Sequence, residues 1–197
     1  MRILVVGSGA IGSVLGGFLA TAGHDVTLLG RAWHLDAVRR QGLSIIGLWG
    51  EHVVRNLAIA TRLDALPRRP AFDWVFVCVK AHQTSSVVDA VAARLGPRTL
   101  VCAFQNGLGN YETLTQRIAP DRVALGRVIF GVEIEPGRVR VTVCADEVLI
   151  GAPHPGFPQE QAALLASALQ ESGVPARATA TIFVAIWAKV LYNCALN

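Results

Sequence analysis

Two periods alternate along the chain. Short, almost wholly apolar runs recur, and each is followed by a longer stretch whose apolar positions return every three or four residues. The runs predict strands buried on both faces of a parallel sheet, and the stretches predict the helices that cover them. Residues 2–6 form the first predicted strand, with a helix reaching to about residue 22 through Val14, Leu15, Phe18 and Leu19. A second strand over 25–30 and a helix over 33–41 follow. Residues 43–46 and 52–60 read as a pair of short strands around Trp49-Gly50, and 66–70 as a surface loop. The run over 73–79 is solidly apolar, as the middle of a sheet requires. A helix over 83–95 is stopped by Gly96-Pro97, a strand covers 99–104, and a helix over 110–118 is N-capped at or near Asn110.

After Pro120 the pattern changes. Residues 123–132 and 138–143, joined by Glu135-Pro136-Gly137, predict an antiparallel hairpin, with 147–150 as a further strand. A helix over 159–170, a short strand over 174–178 and a last helix from about Thr181 complete the series. The expected fold class is α/β, a Rossmann-type doubly wound sheet over residues 1–178. Residues 179–197 stand apart. They are almost wholly apolar and end without glycine, proline or a basic last turn, so they predict a helix buried all round by others. Such a helix belongs to a longer protein or is covered by another chain, and a homodimer is one way to cover it.

Composition narrows the function classes. The 197 residues are 52% hydrophobic and 16% charged, which excludes disorder, and no apolar run is uninterrupted enough to span a membrane. A net charge of +4, with the arginines scattered, suits a small anionic ligand better than nucleic acid. The four cysteines make no C-x-x-C pair, so buried free thiols in a reducing cytoplasm are expected and no metal site is read.

The first strand runs directly into Gly7-Ser8-Gly9-Ala10-Ile11-Gly12, a Gly-x-Gly-x-x-Gly. Between a strand and a helix each glycine has a role: Gly7 for the tight turn, Gly9 for the approach of a pyrophosphate, Gly12 for close helix–sheet packing. The helix N-terminus adds N–H donors and a positive dipole end. A secretory leader is the competing reading of Arg2 and the apolar run, but five glycines before Ala20 disfavour it. Arg31, at the end of the second strand, stands where an NAD enzyme carries an acid. It suits the 2′-phosphate of NADP, or is a solvated surface arginine. Lys80 and the Gln105-Asn106-Gly107-Leu108-Gly109 loop follow the next two strands at their carboxyl ends, where open α/β sheets bind ligands. Either could also be ordinary surface or turn. Lys189, Asn193 and Asn197 recur at helical spacing on the last helix. Lys189 either snorkels to solvent or protonates the oxygen of a ketone under reduction.

In order, GSGAIGS, Gly30-Arg31, VKAHQ from Val79, QNGLG from Gln105 and WAKVLYNCALN from Trp187 resemble the ketopantoate reductase (2-dehydropantoate 2-reductase) family over the whole chain. The resemblance implies NADPH-dependent reduction of a 2-oxo acid to the 2-hydroxy acid, as in pantothenate biosynthesis. It implies NADP(H) held by residues 7–12, Arg31, Lys80 and Asn106. Lys189 would be the acid catalyst, with Asn106, Asn193 and Asn197 on the substrate. The family also has an all-helical second domain, of which residues 179–197 would be the first helix. This chain would then supply the cofactor domain and turn over poorly alone. An opine or hydroxyacid dehydrogenase relative and an NADP-binding sensor without turnover are the alternative readings.

Overall fold

The computed structural model describes residues 1–66 and 71–196. The expected loop at 66–70 therefore lies mostly outside the described residues, as does Asn197. Among the described residues ten strands and six α-helices follow one another as β1 (Arg2–Val6), α1 (Ala10–Thr21), β2 (Asp25–Leu29), α2 (Ala32–Gln41), β3 (Leu43–Gly47), β4 (His52–Val54), β5 (Leu57–Ala60), β6 (Trp74–Val77), α3 (Thr84–Ala92), β7 (Leu100–Ala103), α4 (Asn110–Thr115), β8 (Val123–Glu135), β9 (Arg138–Gly151), α5 (Gln159–Glu171), β10 (Ala176–Ala178) and α6 (Ile182–Leu196). The sheet order is β4-β3-β9-β8-β7-β6-β1-β2-β5, with β10 beside β9. From β5 to β8 all neighbours are parallel, which is the doubly wound order expected, and antiparallel β9 makes the sheet mixed.

Strand pleating splits the core between the two faces. Ile3, Val5, Trp74 and Phe76 join one apolar cluster with Phe18 of α1, Leu35 of α2 and Leu165 of α5. Leu4, Val75 and Val77 join the other with Val88 of α3, Leu114 of α4 and Ile182 of α6. Apart from Arg2 at the start of β1, strands β1, β6 and β7 are apolar throughout because both faces are covered.

Three sequence expectations are corrected. Residues 52–60 are two strands, and they pair at opposite ends of the sheet order: β4 antiparallel to β3, β5 parallel to β2. Only Arg55 and Asn56 separate them, so the sheet curls until its ends meet, with the Asn56 amide donating to the Ala20 carbonyl at 2.7 Å. Residues 138–143 and 147–150 are one strand, because irregularities in the β8–β9 pairing carry the ladder through the polar stretch between them. The helix over 110–118 is shorter, and its cap is Gly109, with no side-chain capping bond.

The curled sheet wraps α1, which packs against β1, β2, β3, β4, β8, β9 and α5. Trp49 meets Phe18 edge-on at 5.8 Å and Phe130 at 4.9 Å between ring centres, closing the outer side. Three glycines within α1 cost about 1 kcal/mol each in helix propensity relative to alanine. Burial of Val14, Leu15, Phe18 and Leu19 outweighs that at about 1.5–3 kcal/mol each.

A buried histidine pins the wrap. The Gly137 N–H donates to His34 Nδ1 at 3.2 Å, and His34 Nε2 lies 3.1 Å from Ser13 Oγ, which donates to the Ser8 carbonyl at 3.2 Å. Nδ1 also lies 3.1 Å from the Glu135 carbonyl, a bond open only to a ring protonated at Nδ1; we assign the neutral ring with its proton on Nε2, the tautomer that serves the other three. Burial holds its pKa below the ordinary histidine value, against a smaller opposing effect of the Glu135 carbonyl. The folded state therefore takes up this proton less readily than the unfolded chain. The stabilisation is complete above the unfolded value of about 6.5 and is lost as pH falls toward the folded value. His34→Gln should cost about 1–3 kcal/mol at pH 7.5, with the gap to wild type narrowing in denaturant melts toward pH 5.5. A gap independent of pH would contradict the assignment.

Candidate active site

The parallel strands β2, β1, β6 and β7 lie side by side in that order, so their carboxyl ends open onto one edge of the sheet. The order reverses between β1 and β6, and the crevice at such a point is where these sheets bind ligands. The residues predicted for the site leave the four strands in sequence: Arg31 after β2, residues 7–12 after β1, Lys80 after β6 and Asn106 after β7.

The glycine loop is held by its backbone. The Gly7 and Ser8 N–H groups both donate to the Leu29 carbonyl at 2.9 Å. Gly7 has φ 102°, and a Cβ there would lie 2.6 Å from the Val79 nitrogen, so the loop is pressed against the exit of β6. A Cβ on Gly12 would lie 2.3 Å from the Gly7 carbonyl oxygen. Gly9 differs: nothing stands within 4 Å of its Cβ position. The loop is thus tight on its inner side and open at the middle glycine, where a pyrophosphate must approach. Gly9 caps α1 without a side-chain bond and the first turn carries no acid, so the N-terminal N–H groups face the crevice uncompeted. Ala10 and Ile11 begin that turn. Ser8 is buried, and a Cβ on Gly30 would meet its Oγ at 1.9 Å, so the exit of β2 also leans on the loop. These features fit a dinucleotide phosphate.

Arg31 is exposed, its guanidinium 5.8 Å from the centre of the Trp33 ring. Lys80 is exposed too, and its backbone N–H donates to Gln83 Oε1 at 3.3 Å. The loop after β7 is braced from below. Asn110 Nδ2 donates to the Asn106 and Gly107 carbonyls at 3.2 and 3.3 Å, and Gln105 Nε2 donates to Thr84 Oγ1 at 2.6 Å. Asn106 thereby presents its amide to α6, where the Lys189 ammonium donates to Asn106 Oδ1 at 2.6 Å and to the Val128 carbonyl. Among the described residues two of the three ammonium donors are engaged, which leaves one able to meet an incoming oxygen. Burial lowers the Lys189 pKa from its ordinary value, and the positive charge of Arg127 lowers it further. Asn193 is exposed one turn farther along α6.

Lys189 and Asn106, far apart in sequence, are thus in direct contact. Sequence reasoning passed over Asn110 and Thr84 as brace residues, and over Arg127. The last is a lone charge inside an apolar strand, which was the available signal. Burial pushes the thiols of Cys78, beneath the glycine loop, and Cys102 up, so neither supplies a thiolate.

Sheet order, glycine cradle and crevice together define a doubly wound domain of the Rossmann class. Within that class the chain belongs to the ketopantoate reductase PanE/ApbA family, whose profile matches residues 3–155. It is 35% identical over its whole length to 2-dehydropantoate 2-reductases of Aquifex aeolicus and of Halobacterium salinarum, covering 61% and 64% of their lengths. A PanE/ApbA family ketopantoate reductase from Ralstonia eutropha superposes with a TM-score of 0.83 at 31% identity, covering 99% of this chain and 62% of that one. A D-mandelate dehydrogenase solved with NADH and anilino(oxo)acetate gives 0.84 at 25%, covering 96% and 60%. The chain therefore spans a little over three fifths of the length of these relatives. The family uses a nicotinamide cofactor.

The last and the middle glycine of the motif should differ in what they cost the fold. Gly12→Ala forces its Cβ onto a backbone carbonyl and should cost about 1–3 kcal/mol in a thermal or denaturant melt. Gly9→Ala should stay within about 0.5 kcal/mol of wild type. Equal losses would contradict the open-cradle geometry.

Proposed function

We propose that the protein is an NADPH-dependent reductase of a 2-oxo acid, ketopantoate or a close analogue, and that this chain supplies its cofactor cleft and its acid catalyst. The observation that carries the reading is the contact of Lys189 with Asn106 at 2.6 Å beside the glycine cradle, at the carboxyl edge of the sheet. A bound nicotinamide supplies the hydride that reduces the keto carbon. Residues 7–12 and the first turn of α1 would hold the pyrophosphate. Arg31 would pair with the 2′-phosphate, a role favoured by its exposure at the end of β2 and the absence of an acid beside it. Lys80 would lend a second positive charge from the exit of β6. Asn106 orients the Lys189 ammonium, and Lys189 polarises the substrate carbonyl and delivers a proton to the oxygen as it becomes a hydroxyl. Asn193 and Asn197 would complete the substrate contacts from α6.

Residues 179–197 we read as the first helix of a helical second domain. Val184, Trp187 and Leu191 support this, because they stand exposed on α6 where a further helix would cover them. The curated relatives' greater length supports it too, and a chain without that domain should bind cofactor and turn over poorly. The free cysteines accord with a cytoplasmic location. The mandelate dehydrogenase likeness favours, as a second reading, another 2-oxo acid reduced with NADH.

Lys189→Ala in a protein spanning the relatives' full length should lower kcat on a 2-oxo acid about 10²–10⁴-fold. Its NADPH Kd should change by less than about threefold. Undiminished turnover would remove Lys189 from the chemistry.

A further inference from the structure

Strand β8 is apolar from Val123 to Val132 except at Arg127. That side chain is only 4% exposed. Its Nη2 donates to Asp146 Oδ2 of β9 at 2.7 Å, and its Nε is buried without a hydrogen-bond partner among the described residues. A buried guanidinium is expensive and calls for a reason. Leu125, two residues before it, and Leu149, its cross-strand partner, belong to the apolar cluster that Ile182 of α6 completes. Arg127 therefore lies on the face of the sheet that α6 covers, and the carbonyl of the next residue, Val128, accepts from Lys189.

We propose that Arg127, clamped by Asp146, is a positioning residue whose buried charge makes the Lys189 ammonium a ready proton donor. The inference rests on the reading of Lys189 as acid catalyst. An ordinary lysine holds its proton about three pH units too firmly to release it readily near neutrality. A like charge in a desolvated site weakens that hold, a route by which catalytic lysines are activated. Among the described residues, the charged groups that face Lys189 are few. Arg127 comes from β8 with Asp146 of β9 behind it, the loop after β7 offers neutral Asn106, and α6 carries no other charged residue. Arg127 in turn keeps the Asp146 carboxyl below its usual range, so the counter-charge stays ionised and tempers the field. In the step itself the Nζ–H bond breaks, its electron pair stays on nitrogen, and an O–H bond forms on the substrate oxygen once its carbon has been reduced. Residue usage agrees. Of the 18 basic side chains 16 are arginine, and the two lysines, Lys80 and Lys189, both lie at the cleft. Arginine cannot give up its proton and lysine can.

With only two lysines, competitive amine labelling of the full chain across pH, read by mass spectrometry, gives each midpoint separately, Lys80 serving as internal reference. Lys189 should titrate below Lys80. R127M should raise the Lys189 midpoint by about one pH unit while leaving Lys80 in place. R127K should keep it low, and D146N, which removes the tempering charge, should push it lower still. A purely structural ion pair would alter stability in all three variants without these opposite movements. Asp146 is half exposed, so D146N keeps the test open if R127M fails to fold. A Lys189 midpoint that does not move in folded R127M or in D146N overturns the proposal. The labelling needs no turnover, so failure of this coupling and failure of Lys189→Ala to abolish turnover are separate results.

Discussion

Everything in this chain hangs on how closely α1 approaches its surroundings. A Cβ on Gly16 would lie 2.8 Å from Leu28 Cδ2, and one on Gly17 would lie 2.5 Å from Ile45 Cδ1. One glycine lets the helix sit down on the parallel strands, and the other lets the curled end of the sheet close over it. Gly12 does the same at the helix start. With bulkier residues the helix would stand off, and its first turn would leave the crevice. The propensity lost at these glycines is small beside the burial gained, so the sequence tolerates a poor helix former in its most buried helix.

From that packing the site follows. Because α1 is fixed against β1, β2 and β3, the loop that precedes it is fixed too, and of its glycines Gly9 stands open. The exits of β2, β6 and β7 then present Arg31, Lys80 and Asn106 around the loop without long-range adjustment. Lys189 comes from elsewhere, on α6. It reaches the edge because Ile182, at the start of α6, is buried in the second core cluster and anchors the helix across β8.

The glycine motif, the parallel strands and the two cleft lysines were legible in the sequence, because each is a local signal: a glycine spacing, an apolar run, a charge in an apolar helix. What was not legible was set by backbone and tertiary geometry. The split of 52–60 depends on where the sheet closes, and residues 53–60 carry no glycine or proline to mark the crossing. The continuity of β9 depends on irregular pairing with β8, which leaves no signature in residue type. Asn110 was expected as a helix cap because asparagine favours that position, but Gly109, at φ 85°, occupies it and frees the amide to hold the Asn106 loop. Arg127 was hidden by its neighbours. A single arginine among apolar residues reads as a surface position of a strand until the strand is found to be covered on both faces.

The central claim is that the cradle around α1 receives NADPH and that Arg31 selects it. The most direct test is titration of the chain with NADPH and with NADH, followed by tryptophan fluorescence, since Trp33 lies 5.8 Å from the Arg31 guanidinium. NADPH should bind at least about tenfold tighter than NADH, and the preference should be lost in Arg31→Asp. Equal affinity for the two, or a preference that survives the substitution, would contradict it.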